Sequence, residues 1–163
     1  MEKKHKEWMD EALAKKESIA KQLKSFKKKK PKNLDVQFHS LHHSTFKKVD
    51  CLTCANCCKT TSPIFRPVDI KRISNHLRMT EAKFIQQYLK IDEDNDYVLQ
   101  QSPCHFLLDD NTCSIYEHRP LACREYPHTD RKNMVQIMDL TLKNMEVCPA
   151  VASILIEINK KSI

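Results

Sequence analysis

Cys51, Cys54, Cys57 and Cys58 stand in one short string, Cys-Leu-Thr-Cys-Ala-Asn-Cys-Cys, and Cys104, Cys113, Cys123 and Cys148 follow it. Thiols at this density bind metal, cross-link or are oxidised. In Cys-x-x-Cys, two sulfurs converge on one ion through a tight turn. Cys51, Cys54 and Cys57 extend the pattern by one step. Three thiolates so spaced suit three corners of an iron–sulfur cubane, or three positions around zinc. Neighbouring side chains diverge on an extended backbone, so Cys58 is expected to point away from Cys57, toward a second centre or out of the ligand set. The later cysteines supply no second Cys-x-x-Cys pair, as a zinc ribbon would. This tilts the reading slightly toward iron–sulfur, although thiolate-rich sites suit both. All eight cysteines are thus candidate ligands to zinc or to iron, the latter including a [4Fe-4S] cluster.

The surroundings fit that chemistry. Cys148 precedes Pro149 at a predicted helix N-terminus, where the dipole favours a thiolate. Arg119 and Arg124 flank Cys123, and their N–H donors can offset the charge of a metal–thiolate unit. His105, His118 and His128 lie near cysteines, but a lone histidine beside a cysteine is more often a surface group. Tyr126 and the acids Asp69, Asp109 and Asp110 complete the polar candidates. Turn chemistry is the simpler reading for Asp109 and Asp110.

Disulfides are the main rival. Adjacent Cys57 and Cys58 bridge poorly, and so clustered a framework strains its loops. The first 33 residues are polar and lysine-rich, with no apolar stretch of a secretory signal, and no later run is long enough to cross a bilayer. The expected setting is the cytoplasm, where thiols stay reduced.

Charge separates an arm from a body. Residues 1–32 carry 12 lysines against 5 acids, while residues 33–163 balance 16 basic with 16 acidic residues. Two metal–thiolate units would add about −4 to the body. The arm is a candidate contact for an anionic partner such as RNA, DNA or lipid, although charge runs are usually solvated faces. No aromatic residues interleave with its lysines to stack bases. The chain has no glycine. A P-loop, a Gly-rich dinucleotide turn, a nucleophile elbow and an EF-hand are therefore absent in standard form, and turns must use Asn, Asp and Pro.

These residues need elements to position them. Trp8, Ala12, Ile19, Leu23 and Phe26 form a narrow apolar stripe, predicting one helix over 2–29 that Pro31 ends. Residues 34–48 predict a short helix feeding the cysteine string. Pro67 opens the next, with Asp69 in its first turn and Ile70, Ile73 and Leu77 inward. Thr80 caps a further helix presenting Phe84, Ile85, Tyr88 and Leu89. Strands are predicted at 97–100, 104–108 and 112–116, the last two joined at Asp109-Asp110-Asn111. Residues 133–146 lean to helix, and Pro149 opens the last one, with Val151, Ile154, Leu155 and Ile158 on one face. The expected fold is mainly α with a small β-hairpin. It comprises a basic helical arm over 1–32 and a loop-rich, metal-stapled domain over 33–163.

The string Cys51-x2-Cys54-x2-Cys57-Cys58 resembles the signature of the CxxCxxCC cysteine-cluster family, the YkgJ-like domains described as zinc- or iron-chelating. The resemblance continues through Pro103-Cys104-x-Phe106-Leu107 and Cys113-Ser114-Ile115-Tyr116-x-x-Arg119-Pro120-x-x-Cys123-Arg124-x-Tyr126-Pro127. Val68, Asp69 and Ile73 resemble the helix after the cluster. It covers about residues 50–150 and implies that the eight cysteines form a metal site. The cluster is also similar to that of flagellin lysine N-methylase, which implies that such a module can serve an iron–sulfur methyltransferase. Three roles follow as expectations: a structural or adaptor metal module, an iron–sulfur enzyme or redox protein, and storage or delivery of iron or zinc.

Overall fold

The stripe from Trp8 to Phe26 folds as two helices, not one. In this computed structural model, which describes residues 2–161, α1 (Lys3–Ala14) and α2 (Lys16–Lys29) meet at Lys15. Its φ of −102° and ψ of 10° interrupt the helical run. Lys30 then ends α2 with φ 46°, its N–H donating to Phe26 O at 2.8 Å. A left-handed cap is ordinarily a glycine's work. Without glycine, positive φ falls among the described residues on Asn95, Asn111 and Asn133, as expected for asparagine. It also falls on Lys30, Ala55, Arg78 and His128. A side chain with a Cβ resists this conformation by about 1–2 kcal/mol.

The remaining elements follow in order. They are α3 (Leu34–Phe46), α4 (Cys51–Cys54), α5 (Asn56–Thr60), α6 (Pro67–His76), α7 (Glu81–Tyr88), β1 (Leu89–Ile91) and β2 (Tyr97–Leu99). After a 3-10 turn at Tyr116–His118 come α8 (Leu121–Glu125), a second 3-10 turn at Met134–Ile137, α9 (Met138–Met145) and α10 (Pro149–Lys160). The fold is mainly α with one small antiparallel hairpin. It divides into two compact units: Met1–Cys54 with Pro127–Ile163, and Ala55–Tyr126.

The first unit is built around α10. That helix is apolar nearly all round, and Val151, Ile154, Leu155 and Ile158 are fully buried. Such a helix must be surrounded. It packs against α1, α2, α3 and α9. Ala12, Ile19, Leu23 and Phe26 of the stripe are in the same core, with Phe38, Met134, Met138 and Met145. Each fully buried aliphatic side chain contributes about 1.5–3 kcal/mol. The Asp35 carboxylate accepts from Asn133 N at 2.7 Å and Met134 N at 2.9 Å, tying α3 to the second 3-10 turn.

The second unit centres on Phe65, Ile70, Ile73, Phe84, Leu89, Leu99, Phe106 and Ile115. Thr80 caps α7, its hydroxyl accepting from Lys83 N at 3.2 Å. The hairpin pairs Leu89 with Leu99, Lys90 with Val98 and Ile91 with Tyr97. Leu89, expected on a helix face, therefore opens a strand. The strands expected at 104–108 and 112–116 reduce to a single bridge, Leu107 with Cys113. Phe106 and Ile115 turn into the core instead, and the chain coils into a 3-10 turn at Tyr116. The intervening turn forms as expected. Asn111 is left-handed, and the Asp110 carboxylate accepts from Thr112 N at 2.9 Å and Thr112 Oγ1 at 2.6 Å. Among the described residues, no helix is long and apolar enough to cross a membrane.

Candidate metal centre

None of the eight cysteines is paired in a disulfide. They divide between the two units. Cys57, Cys58, Cys104, Cys113 and Cys123 lie in the unit Ala55–Tyr126; Cys51, Cys54 and Cys148 lie in the other.

In the unit Ala55–Tyr126, α5 carries Cys57 and Cys58. The Cys58 carbonyl accepts from Cys104 N at 2.9 Å, so the string is stitched to a segment 46 residues further on. The turn at 109–111 then returns the chain, with Ser114 N donating to Phe106 O at 2.9 Å, and Cys113 comes back beside Cys104. Both thiols border the apolar core. Phe106 N points at Cys104 Sγ at 3.4 Å, the kind of N–H···S contact that stabilises a thiolate. Cys123 sits on α8, whose first turn is closed by Cys123 N to Pro120 O at 3.0 Å.

The thiols perturb one another. A hydrogen bond from Cys57 brings the Cys58 thiol down to about 7; burial opposes this, and Arg119 and Lys59 assist it. Burial pushes Cys123 up to about 12, and Cys58, Cys104 and Cys113 push it further, against Arg119. Cys104 is raised by burial, with Cys58 and Cys113 adding to it. Cys113 is raised by burial and by Cys58, with Arg119 opposing. Four sulfurs and one guanidinium thus share a local field. Contrary to the sequence expectation, the Cys58 sulfur does not turn away from Cys57; adjacent residues on a helical turn leave the two sulfurs in hydrogen-bond reach.

Arg119 is half-buried and braced. Its Nε donates to Tyr116 O at 2.8 Å, and its guanidinium lies 3.5 Å from the centre of the Tyr116 ring. Arg124, on α8, is exposed, and none of these thiol shifts traces to it. His105 is exposed against the edge of Tyr88, and His118 stacks on His76 at 4.0 Å. Tyr126 is half-buried at the end of this unit, while Asp109 and Asp110 are exposed turn residues. Asp69 is fully buried. Lys59, beside Cys58, was not singled out from sequence; its adjacency to the string was the available signal.

In the other unit, Cys51 and Cys54 share one face of the single turn α4, three residues apart. Asp50 starts that turn, its carboxylate accepting from Leu52 N at 2.9 Å. Cys148 is the N-cap of α10 and packs against the core. Burial pushes its thiol up to about 11; the Val151 and Ala150 N–H groups pull it down, and Cys51 and Cys54 push it up. The helix end does favour the thiolate, as expected, but burial outweighs it. His128, half-buried with φ 65°, follows Pro127 in this unit.

Among the described residues, no three Cys, His, Asp or Glu side chains already stand in a geometry that would hold a metal ion. The donor chemistry nevertheless fits zinc or iron. The donors are mutually perturbing, sulfur-only sets, with Arg119 acting on the thiols of one and the N–H groups of Ala150 and Val151 on Cys148 in the other.

A glycine-free, helix-rich fold with two groups of thiols outside any disulfide defines a cysteine-cluster chelating module. The sequence model of the CxxCxxCC family, described as "Putative zinc- or iron-chelating domain", matches residues 50–149, well over half of the chain, and the chain belongs to this family. That span holds all eight cysteines. Nothing among the curated proteins or the solved structures matches the chain.

Proposed function

We propose that this chain is a metal-binding protein of the reducing cytoplasm with a structural or adaptor role, in which each unit's thiols hold their own centre. In the unit Ala55–Tyr126 the ligands are Cys58, Cys104, Cys113 and Cys123. Four thiolates suit zinc or one iron–sulfur centre. Cys57 supports the set by hydrogen-bonding to Cys58. In the other unit, Cys51, Cys54 and Cys148 contribute three thiolates to a second centre. Zinc or iron bound in this way supplies folding free energy by joining loops distant in sequence. Arg119 balances part of the negative charge.

One observation carries the reading: Cys104 N donates to the Cys58 carbonyl at 2.9 Å, the chain returns Cys113 beside Cys104, and these three thiols with Arg119 act on the Cys123 thiol. Those residues come from four separate stretches of chain. Thiols gathered from distant segments at the edge of a core give one cation a shared set of ligands once their protons leave.

Anaerobic purification followed by metal analysis and a visible spectrum tests this. Stoichiometric zinc in a colourless protein, or iron with a brown thiolate chromophore, supports it and names the metal. A well-folded protein with neither metal, which takes up neither when they are supplied, contradicts it.

A further inference from the structure

Among the described residues, Asp69 is the only carboxylate that is buried, at 0 % exposure. A buried charge costs several kcal/mol unless it is paired and fully hydrogen-bonded. Oδ2 accepts from Arg66 N at 3.2 Å and Arg66 Nε at 3.4 Å. Oδ1 accepts from Arg72 Nη2 at 2.6 Å and from Leu121 N at 3.2 Å. Asp69 therefore serves two helix starts: its own, at Arg66, and that of α8, at Leu121. Arg72 Nη2 also donates to Arg119 O at 2.8 Å and reaches His118 O at 3.4 Å.

Capping α6 alone does not require burial. A carboxylate at the third helical position can cap its own helix from the surface, with no desolvation cost. What burial adds is the grip on residues 118–121. This short segment carries two groups of the centre: the Arg119 side chain, and, two residues after Leu121, Cys123. We propose that Asp69, acting through Arg72, is a positioning residue for the thiolate centre of this unit. It fixes the main chain from Arg119 to Leu121 so that the Arg119 guanidinium and the Cys123 sulfur meet Cys58, Cys104 and Cys113 together. The inference rests on the metal reading given above and extends it to residues that touch no ligand atom.

Cobalt(II) tests it, because its visible spectrum in a thiolate site reports ligand geometry and its affinity can be read by chelator competition. Wild type is compared with Asp69→Asn, Arg72→Lys and Arg66→Gln in the full chain. Asp69→Asn and Arg72→Lys are expected to weaken cobalt binding by about 10–100-fold and to shift the cobalt–thiolate bands. In the metal-free chain, Asp69→Asn is expected to speed amide exchange at Leu121. Arg66→Gln removes only the contact from a half-exposed side chain on the far side of Asp69. It is expected to leave affinity and spectrum unchanged. Should Asp69→Asn fail to fold, Arg72→Lys carries the test. It keeps the charge, but its shorter side chain withdraws the donor from the point where Arg72 Nη2 meets both Asp69 Oδ1 and Arg119 O.

Unchanged cobalt affinity and spectrum in both Asp69→Asn and Arg72→Lys overturn this proposal and leave the metal reading standing. A loss in Arg66→Gln equal to that in Arg72→Lys also overturns it, reducing Asp69 to a helix cap. A wild-type chain that takes up no cobalt overturns the metal reading and this proposal with it.

Discussion

Metal uptake by the four-thiol set must displace protons, and the free thiols fix how many. Cys58, held down at about 7, is half ionised near neutral pH. Cys123, pushed up to about 12, is protonated there. Cys104 and Cys113, both raised from the ordinary thiol value, are protonated too. Binding one zinc as four thiolates then releases about 3.5 protons near pH 7, about four at pH 6 and about three at pH 8. The sign follows directly. Raised thiol values favour the protonated form, so protons compete with metal, and affinity falls as pH falls. Its logarithm should change by about three to four per pH unit over this range. The assay is zinc titration of a full chain with Cys51, Cys54 and Cys148 changed to Ser. Proton release is read by an indicator dye in weak buffer, or by calorimetry in two buffers of different ionisation enthalpy. Release of only about one proton per zinc, without steepening below pH 7, would refute a four-thiolate centre with Cys58 as its most acidic member.

Three further outcomes are expected. Burial works to raise Asp69, but Arg72, the Arg66 and Leu121 N–H groups and the Arg66 side chain together hold it below the usual carboxylate range. Its contribution is therefore present above the unfolded value of about 3.9 and lost as pH falls through the folded value. Asp69→Asn should cost about 3–5 kcal/mol at neutral pH and flatten the acid side of a urea-stability profile; an unchanged acid limb would count against the pairing. Phe26, 3 % exposed in the core around α10, should cost about 3–5 kcal/mol when changed to Ala. Thermal unfolding would register this, and an unshifted midpoint would mean that α2 does not belong to that core. In the metal-free chain at neutral pH, iodoacetamide should label Cys58 well before Cys123, and bound metal should protect both; peptide mapping that found Cys123 first would reverse the assigned order.

Much of the helical framework was legible in local chemistry. Pro67 and Pro149 do open α6 and α10, and Thr80 does cap α7, because each signal acts within one turn of the chain. The turn at Asp110 and Asn111 formed for the same reason. Failures came where tertiary packing decides. Lys15 is a good helix former, and nothing local announces that α1 and α2 should break there to surround α10. Leu89 sits at apolar helical spacing yet is drawn into a strand by Leu99. The family and its eight thiols were readable from spacing. Their division was not, because the break after Cys54 falls inside the string that gives the motif its regularity. The Asp69–Leu121 bond crosses 52 residues and left no periodic trace, although the Arg66–Asp69–Arg72 spacing on one helix face was visible.

Metal content per chain, measured after anaerobic purification of wild type and two double variants, tests the central claim most directly. One variant is Cys58→Ser with Cys123→Ser; the other is Cys54→Ser with Cys148→Ser. Two separate centres predict that each variant loses one centre's metal and keeps the other's, with the visible spectrum reduced in proportion. Loss of all metal in either variant, or full retention in both, would contradict the assignment of one thiolate centre to each unit.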